Sequence, residues 1–236
     1  PLQKALVRKD THEERWRYCI SDTDGILGYA LGRMFINETF QGDSKPVAEE
    51  MVTNIRRSFE ANIRKLDWMD EETRKRAISK AEAITDMIGY PDFIQDKNAL
   101  NDKYAELNIS VDDYFGNNVR YSLYSFNKNI RKITEVVNRT TWSMTPPTVN
   151  AYYTPTKNQI VFPAGLLQSP FFHLKYPRSI NYGAMGVVMG HELSHAFDDQ
   201  GREYDESGNL NNWWNNETLK EFEARTKCFE DQYSSY

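Results

Sequence analysis

Apolar residues fall at steps of three and four through the first third of the chain. Val52, Ile55, Phe59, Ile63 and Leu66 make one such face and predict a helix, with Ser44 as its cap and Pro46 in its first turn. Asp70 is the cap of a second predicted helix, which runs through Ala77, Ala81, Ile84 and Ile88 and stops at Gly89-Tyr90-Pro91. The stretch 98–118 is polar and mixed, with room for a short helix or a loop, and 119–137 again has helical spacing. The pattern then changes. Pro146-Pro147 breaks it, and Thr148 to Tyr153 reads as a strand. Thr156-Lys157-Asn158 supplies a turn, and Gln159 to Phe162 reads as a returning strand ended by Pro163, a hairpin suited to a sheet edge. A last helix is predicted from Asn181 to Asp199, stopped by Gly201. Its first half, Gly183 to Gly190, is small and apolar, as in a helix buried on nearly all sides. No repeat or low-complexity tract interrupts this order.

Composition narrows the classes. With 236 residues, 39% hydrophobic and 27% charged, the chain can bury a core in one large domain or two modest ones. A net charge of -5 and the lack of a long basic run argue against nucleic acid as a partner. The longest uncharged, apolar-rich stretch, 158–174, is broken by Pro163 and Pro170, so nothing reads as a membrane span, and Pro1 to Asp10 does not read as a signal peptide. Any anchor would lie outside this chain. The two cysteines, Cys19 and Cys228, allow a mutual bond, free thiols or outside partners. Asn-x-Ser/Thr sequons at Asn37, Asn108, Asn138 and Asn216 are a mild hint of the secretory route and candidate glycosylation sites.

The chemistry concentrates in His191-Glu192-Leu193-Ser194-His195. Two histidines four apart share one helix face, one turn apart, and can reach one Zn2+ ion. Glu192 adjoins the first and can take a proton from zinc-bound water, then pass it to the leaving nitrogen of a peptide. A solvent-facing helix with two chance histidines is the competing reading. Asp198 and Asp199 follow His195 by three and four residues, and either can orient its ring from behind. Both equally suit polar residues at a helix end. His173 fits a packed or solvated loop histidine better than a ligand, and His12 has no evident partner. Asn150, ahead of the edge strand, either anchors an extended peptide backbone or is an ordinary strand residue.

These segments resemble the neprilysin and endothelin-converting-enzyme family of zinc metalloendopeptidases. The resemblance runs through Val188 to Gly201, Asn150 to Tyr153 and Asn158 to Gly165, and Trp142 to Pro147 and Arg202 to Asp205 lean toward the endothelin-converting branch. Trp16-Arg17-Tyr18-Cys19 and Trp68-Met69-Asp70 extend it to the whole chain. It implies a mainly α (α+β) fold. Residues 1–85 would be part of a helical cap lobe and linker, and 86–236 an incomplete zincin-type catalytic lobe with a small sheet and the HExxH helix. It implies a type II membrane or secreted ectoenzyme that cleaves small to medium peptides on the amino side of hydrophobic residues. By the same resemblance His191 and His195 are zinc ligands and Glu192 the catalytic base. Asn150 and Ala151 bind the substrate backbone, and Leu166, Phe171, Val187 and Val188 line the pocket after the scissile bond, with core packing as the rival reading for those four. Cys19 and Cys228 would pair with cysteines outside this chain. The family's third ligand, a Glu in a Glu-Asn-x-x-Asp motif, is missing from 196–236. The chain therefore reads as an internal fragment that alone would bind zinc weakly or not at all and cleave nothing, with Glu203 or an aspartate after His195 as the first substitutes to consider. A catalytically impaired peptide-binding or structural relative on the same scaffold is the alternative.

Overall fold

The computed structural model describes residues 14–40 and 42–236; His12 lies outside them. The helices are α1 (Arg15–Thr39), α2 (Ser44–Ile63), α3 (Glu71–Glu82), α4 (Lys97–Lys103), α5 (Tyr114–Arg131), α6 (Arg178–Ser194) and α7 (Asn216–Ser234). The strands are β1 (Thr85–Gly89), β2 (Tyr152–Thr154) and β3 (Gln159–Pro163). The chain is thus mainly helical with one small mixed sheet, ordered β1-β3-β2.

Residues divide into two compact units. The first comprises the described residues up to Phe40 with 91–136 and 145–147. In it, Gly28 of α1 lies so close to the 145–147 segment that a Cβ there would come within 2.2 Å of the Thr145 side chain. Asp24, one turn before Gly28, accepts a hydrogen bond from the Thr145 hydroxyl at 2.9 Å. Tyr121 donates to the Gly25 carbonyl at 2.8 Å, tying α5 to α1. Phe115, Val119, Leu123, Phe126 and Ile130 stand exposed along α5, so the helical spacing there produces an apolar face without burial.

The second unit comprises 42–90, 137–144 and 148–236. Residues 42–85, grouped by sequence with the N-terminal segment, cluster here with the HExxH helix, because α2 packs along α6 and against β1. Asp70 caps α3 as expected, accepting from the Glu72 and Thr73 N–H groups at 3.0 Å each. Ser44 does not cap α2; it is the first helical residue, and Asp43 before it makes no side-chain cap bond.

The expected continuation of α3 through Ile84 and Ile88 is overturned. The helix ends at Glu82, and Thr85 to Gly89 pair in parallel with Gln159 to Pro163. Two isoleucines four apart suit a helix face equally, but a five-residue run beside a buried partner strand gains a full ladder of hydrogen bonds by extending. Position β3 is central, buried at every residue, and Pro163 closes it. The hairpin forms as predicted with β2 at the edge, but β2 is shorter than predicted, and Asn150 and Ala151 lie just ahead of it. Asn158 turns the hairpin at φ 45°, an allowed conformation for Asn. Its buried amide donates to the Lys80 and Glu206 carbonyls and accepts from the Tyr153 hydroxyl.

A cluster of Ile63, Met69, Ala77, Ile78, Trp213 and Trp214 anchors the lower end of α2 and α3, with Phe59, Phe197 and Phe222 packed against it. Phe197 follows His195 by two residues, so this cluster fixes the chain where it leaves the histidine pair.

Candidate active site

Helix α6 buries Met185, Gly186, Met189, Glu192 and Leu193 on one side. Val187 is 65% exposed and Gly183 is exposed, so within this chain the helix is buried on one face rather than all round. Burial follows the i, i+3, i+4 rule: Met185, Met189, Glu192 and Leu193 share the face turned to α2 and the sheet.

Regular helix ends at Ser194, five residues before the predicted Asp199. His195 to Phe197 form one tighter turn, and Asp198 breaks out at ψ -176°. The Asp198 side chain causes the break. Its Oδ1 accepts the Gly201 N–H at 2.6 Å and the Gln200 N–H at 3.1 Å, donors that a continuing helix would direct to its own carbonyls.

Its other oxygen, Oδ2, lies 2.6 Å from Nδ1 of His195. Asp198, not the exposed Asp199, is therefore the aspartate behind the ring. With the proton held on Nδ1, the His195 Nε2 lone pair is directed outward. It meets Nε2 of His191 at 3.0 Å, the rings 4.5 Å apart and nearly perpendicular. Two nitrogens bound to one tetrahedral zinc ion at 2.0–2.1 Å would be about 3.3 Å apart, so the pair is spaced and aimed to share a cation. Among the described residues, no group of three or more His, Cys, Asp or Glu side chains is placed to hold a metal. Glu203 and the aspartates after His195 thus do not supply a third ligand.

Glu192 sits between the histidines in sequence and is buried, 6% exposed, where His191 is exposed and His195 half-buried. Burial raises its carboxyl above the ordinary range, while the His191 and His195 charges and the Tyr153 backbone N–H pull it back. Tyr153 belongs to β2, so the edge strand passes beside Glu192. Asn150 is exposed ahead of the strand and accepts the Ala151 N–H on its own side-chain oxygen at 2.9 Å.

The four pocket candidates differ in setting. Leu166 is buried, Phe171 and Val188 are half-buried, and Val187 is exposed. His173 is a local loop residue; its Nδ1 accepts the Lys175 N–H and its ring packs at a tilt against Tyr176. All four sequon asparagines are exposed, and Cys19 and Cys228 are free and exposed. No helix among the described residues is long and apolar enough to cross a membrane.

Lys80 belongs to the neighbourhood, and no sequence signal marked it. It is 1% exposed, and its ammonium donates to the carbonyls of Ala196 at 2.7 Å, Gly201 at 2.6 Å and Tyr204 at 2.6 Å. Burial pulls the group down to about 8, against the stabilising charges of Asp205, Asp198 and Glu206. The only advance hint was a lysine on the same face as Thr73, Ala77 and Ala81, at helical spacing from them.

Comparison with known proteins sets this geometry in a family. Residues 2–91 and 150–236 match the two sequence profiles of "Peptidase family M13". The chain is 58% identical over 235 residues to an endothelin-converting enzyme homolog of Locusta migratoria, covering 100% of this chain and 32% of that protein. It is 54% identical to neprilysin-3 of Drosophila melanogaster, covering 100% of this chain and 30% of the relative. Among solved structures, the Mycobacterium tuberculosis zinc metalloprotease Zmp1 in complex with an inhibitor superposes with a TM-score of 0.88 at 38% identity, over 100% of this chain and 34% of that one. PepO from Lactobacillus rhamnosis gives 0.82 at 28% identity, over 95% and 35%. The chain thus spans about a third of the length of the relatives it matches. By sequence along nearly its whole length and by fold, the chain belongs to peptidase family M13.

Proposed function

We propose that the protein carrying this chain is a zinc-dependent endopeptidase acting on small to medium peptides. The observation that carries the reading is the facing pair of imidazole nitrogens, 3.0 Å apart, with one ring fixed from behind by Asp198. His191 and His195 would hold the ion, and a third ligand would come from a part of the protein outside this chain. Zinc supplies Lewis acidity toward water and toward the scissile carbonyl.

The chain's own residues supply the rest. Glu192, its pKa raised by burial, accepts a proton from the attacking water and returns it to the departing amide nitrogen. The free edge of β2, with Asn150 and Ala151 leading into it, offers main-chain groups to an extended peptide. Leu166, Phe171, Val187 and Val188 are the proposed contacts for a hydrophobic side chain on the carboxyl side of the cut bond. Membrane anchoring or secretion to the extracellular face, use of the four sequons, and bonds from Cys19 and Cys228 to cysteines outside this chain are proposals of the same standing. They rest on the family likeness.

Chelation tests the reading. Stripping zinc from the complete protein should stop cleavage of a peptide with an internal hydrophobic residue, and added zinc should restore it. His191→Ala and His195→Ala should each lose both zinc and cleavage. Undiminished cleavage by zinc-free protein would contradict the assignment.

A further inference from the structure

Three carbonyls that meet on Lys80 belong to residues 196, 201 and 204, the segment that folds back beneath His195. Three acceptors at 2.6–2.7 Å use all three N–H donors of an ammonium group, so the side chain is a saturated cationic tripod. The Phe197 and Trp213 rings flank it at 5.5 and 5.7 Å, which adds cation–π attraction and keeps water out.

The segment it gathers is the one that places Asp198. Gly201 is held from both sides: its carbonyl by Lys80 and its N–H by Asp198 Oδ1. It also packs so close to the helix end that a Cβ would lie 1.8 Å from the His195 carbonyl oxygen. Ala196 and Gly201 bracket Asp198, and Lys80 binds both. The remaining Asp198 oxygen is then aimed at Nδ1 of His195.

We propose that Lys80 is a positioning residue of the metal centre. By tying the 196–204 backbone it holds Asp198 against His195, and so fixes which ring nitrogen carries the proton and where the other points. The Lys80 hydrogen bonds go to the backbone at 196, 201 and 204, not to either side chain. The proposal rests on the reading of His195 as a zinc ligand.

The test is a double-mutant cycle on zinc affinity in the complete protein, measured by competition with a chelator, with the melting of the zinc-free form followed in parallel. Asp198→Ala should weaken zinc by about 10- to 100-fold, the usual effect of losing the partner behind a ligand histidine. Lys80→Met should weaken zinc by a similar factor. The double variant should be no weaker than the worse single one, because both remove the same constraint. A purely structural lysine would lower melting in the zinc-free form yet leave zinc affinity unchanged, or give losses that multiply with those of Asp198→Ala; either result overturns the proposal. If Lys80→Met does not fold, Lys80→Arg carries the test. It keeps the charge but replaces a tripod with a planar fork, and it should fold and still bind zinc more weakly. Unchanged affinity, or loss of fold in both variants, also overturns it. If Asp198→Ala leaves zinc untouched while His195→Ala removes it, Asp198 does not position the ring and the proposal is overturned. If His195→Ala itself leaves zinc bound, the reading of His195 as a ligand fails instead, and that outcome is distinct.

Discussion

His195 divides its work between two nitrogens. Nδ1 is engaged at 2.6 Å by Asp198, and Nε2 faces Nε2 of His191 at 3.0 Å. Spacing alone placed both histidines on one face. It could not choose between Asp198 and Asp199, since both fall near that face, and the choice depends on a helix that breaks between Phe197 and Asp198. Lys80 shows the opposite limit. A lysine in a polar stretch reads as solvated, and only the carbonyls brought from over a hundred residues away make its burial stable. Asp70 was legible, because a cap is a local contract between a side chain and the next turn. What the sequence hid is its second partner: Thr218 donates to Oδ2 at 2.6 Å. Burial works against the charge of Asp70, but the hydrogen bonds from Thr218, Thr73 and Glu72 together outweigh it and lower its pKa to about 2. A folded-state pKa below the unfolded one gives stability that is present above about pH 4 and is lost as pH falls toward 2. Asp70→Ala should therefore cost about 1 kcal/mol at neutral pH. Its melting gap from the parent should shrink as pH drops through that window. A gap independent of pH would refute the charge-based account.

At the scale of elements, periodicity located α2, α3 and the hairpin and only part of α5, which spans Tyr114–Arg131 rather than the expected 119–137, and it failed where two patterns overlap. Ile84 and Ile88 sit four apart, which suits a helix face, yet they lie just before and within β1. The deciding partner, β3, is more than seventy residues downstream. The end of α6 was misplaced for a related reason. Gly201 was read as the stop, whereas its actual role is to let the backbone press against His195. Gly201→Ala should push the two segments apart and lower stability by about 1–3 kcal/mol, the range for forced overpacking. Thermal or denaturant unfolding measures this, and a neutral effect would show that the loop has slack the contacts do not suggest. The aromatic cluster makes a parallel prediction. Trp213 is 6% exposed, and its indole N–H donates to the Tyr204 carbonyl at 3.0 Å, beside Lys80. Trp213→Ala should cost about 3–5 kcal/mol.

For the molecule as a whole, the structure sorts the chain into two units, and every residue of the histidine site falls in the second. The segment 42–85 belongs with that unit because α2 lies along the HExxH helix, a long-range packing fact that no local composition change announces. Family membership was legible from the long motifs around Asn150 and His191. The two-histidine geometry follows from the helix that carries them. No third ligand comes from the described residues, and the chain covers about a third of its relatives. The decisive test therefore uses the complete protein. That test is Glu192→Gln, with zinc content and peptide turnover measured on the same sample. The change keeps size and shape but removes the group that accepts the proton. Zinc should stay bound at the parent stoichiometry while turnover falls by at least about 100-fold. Turnover near the parent rate with zinc in place would contradict the role assigned to Glu192.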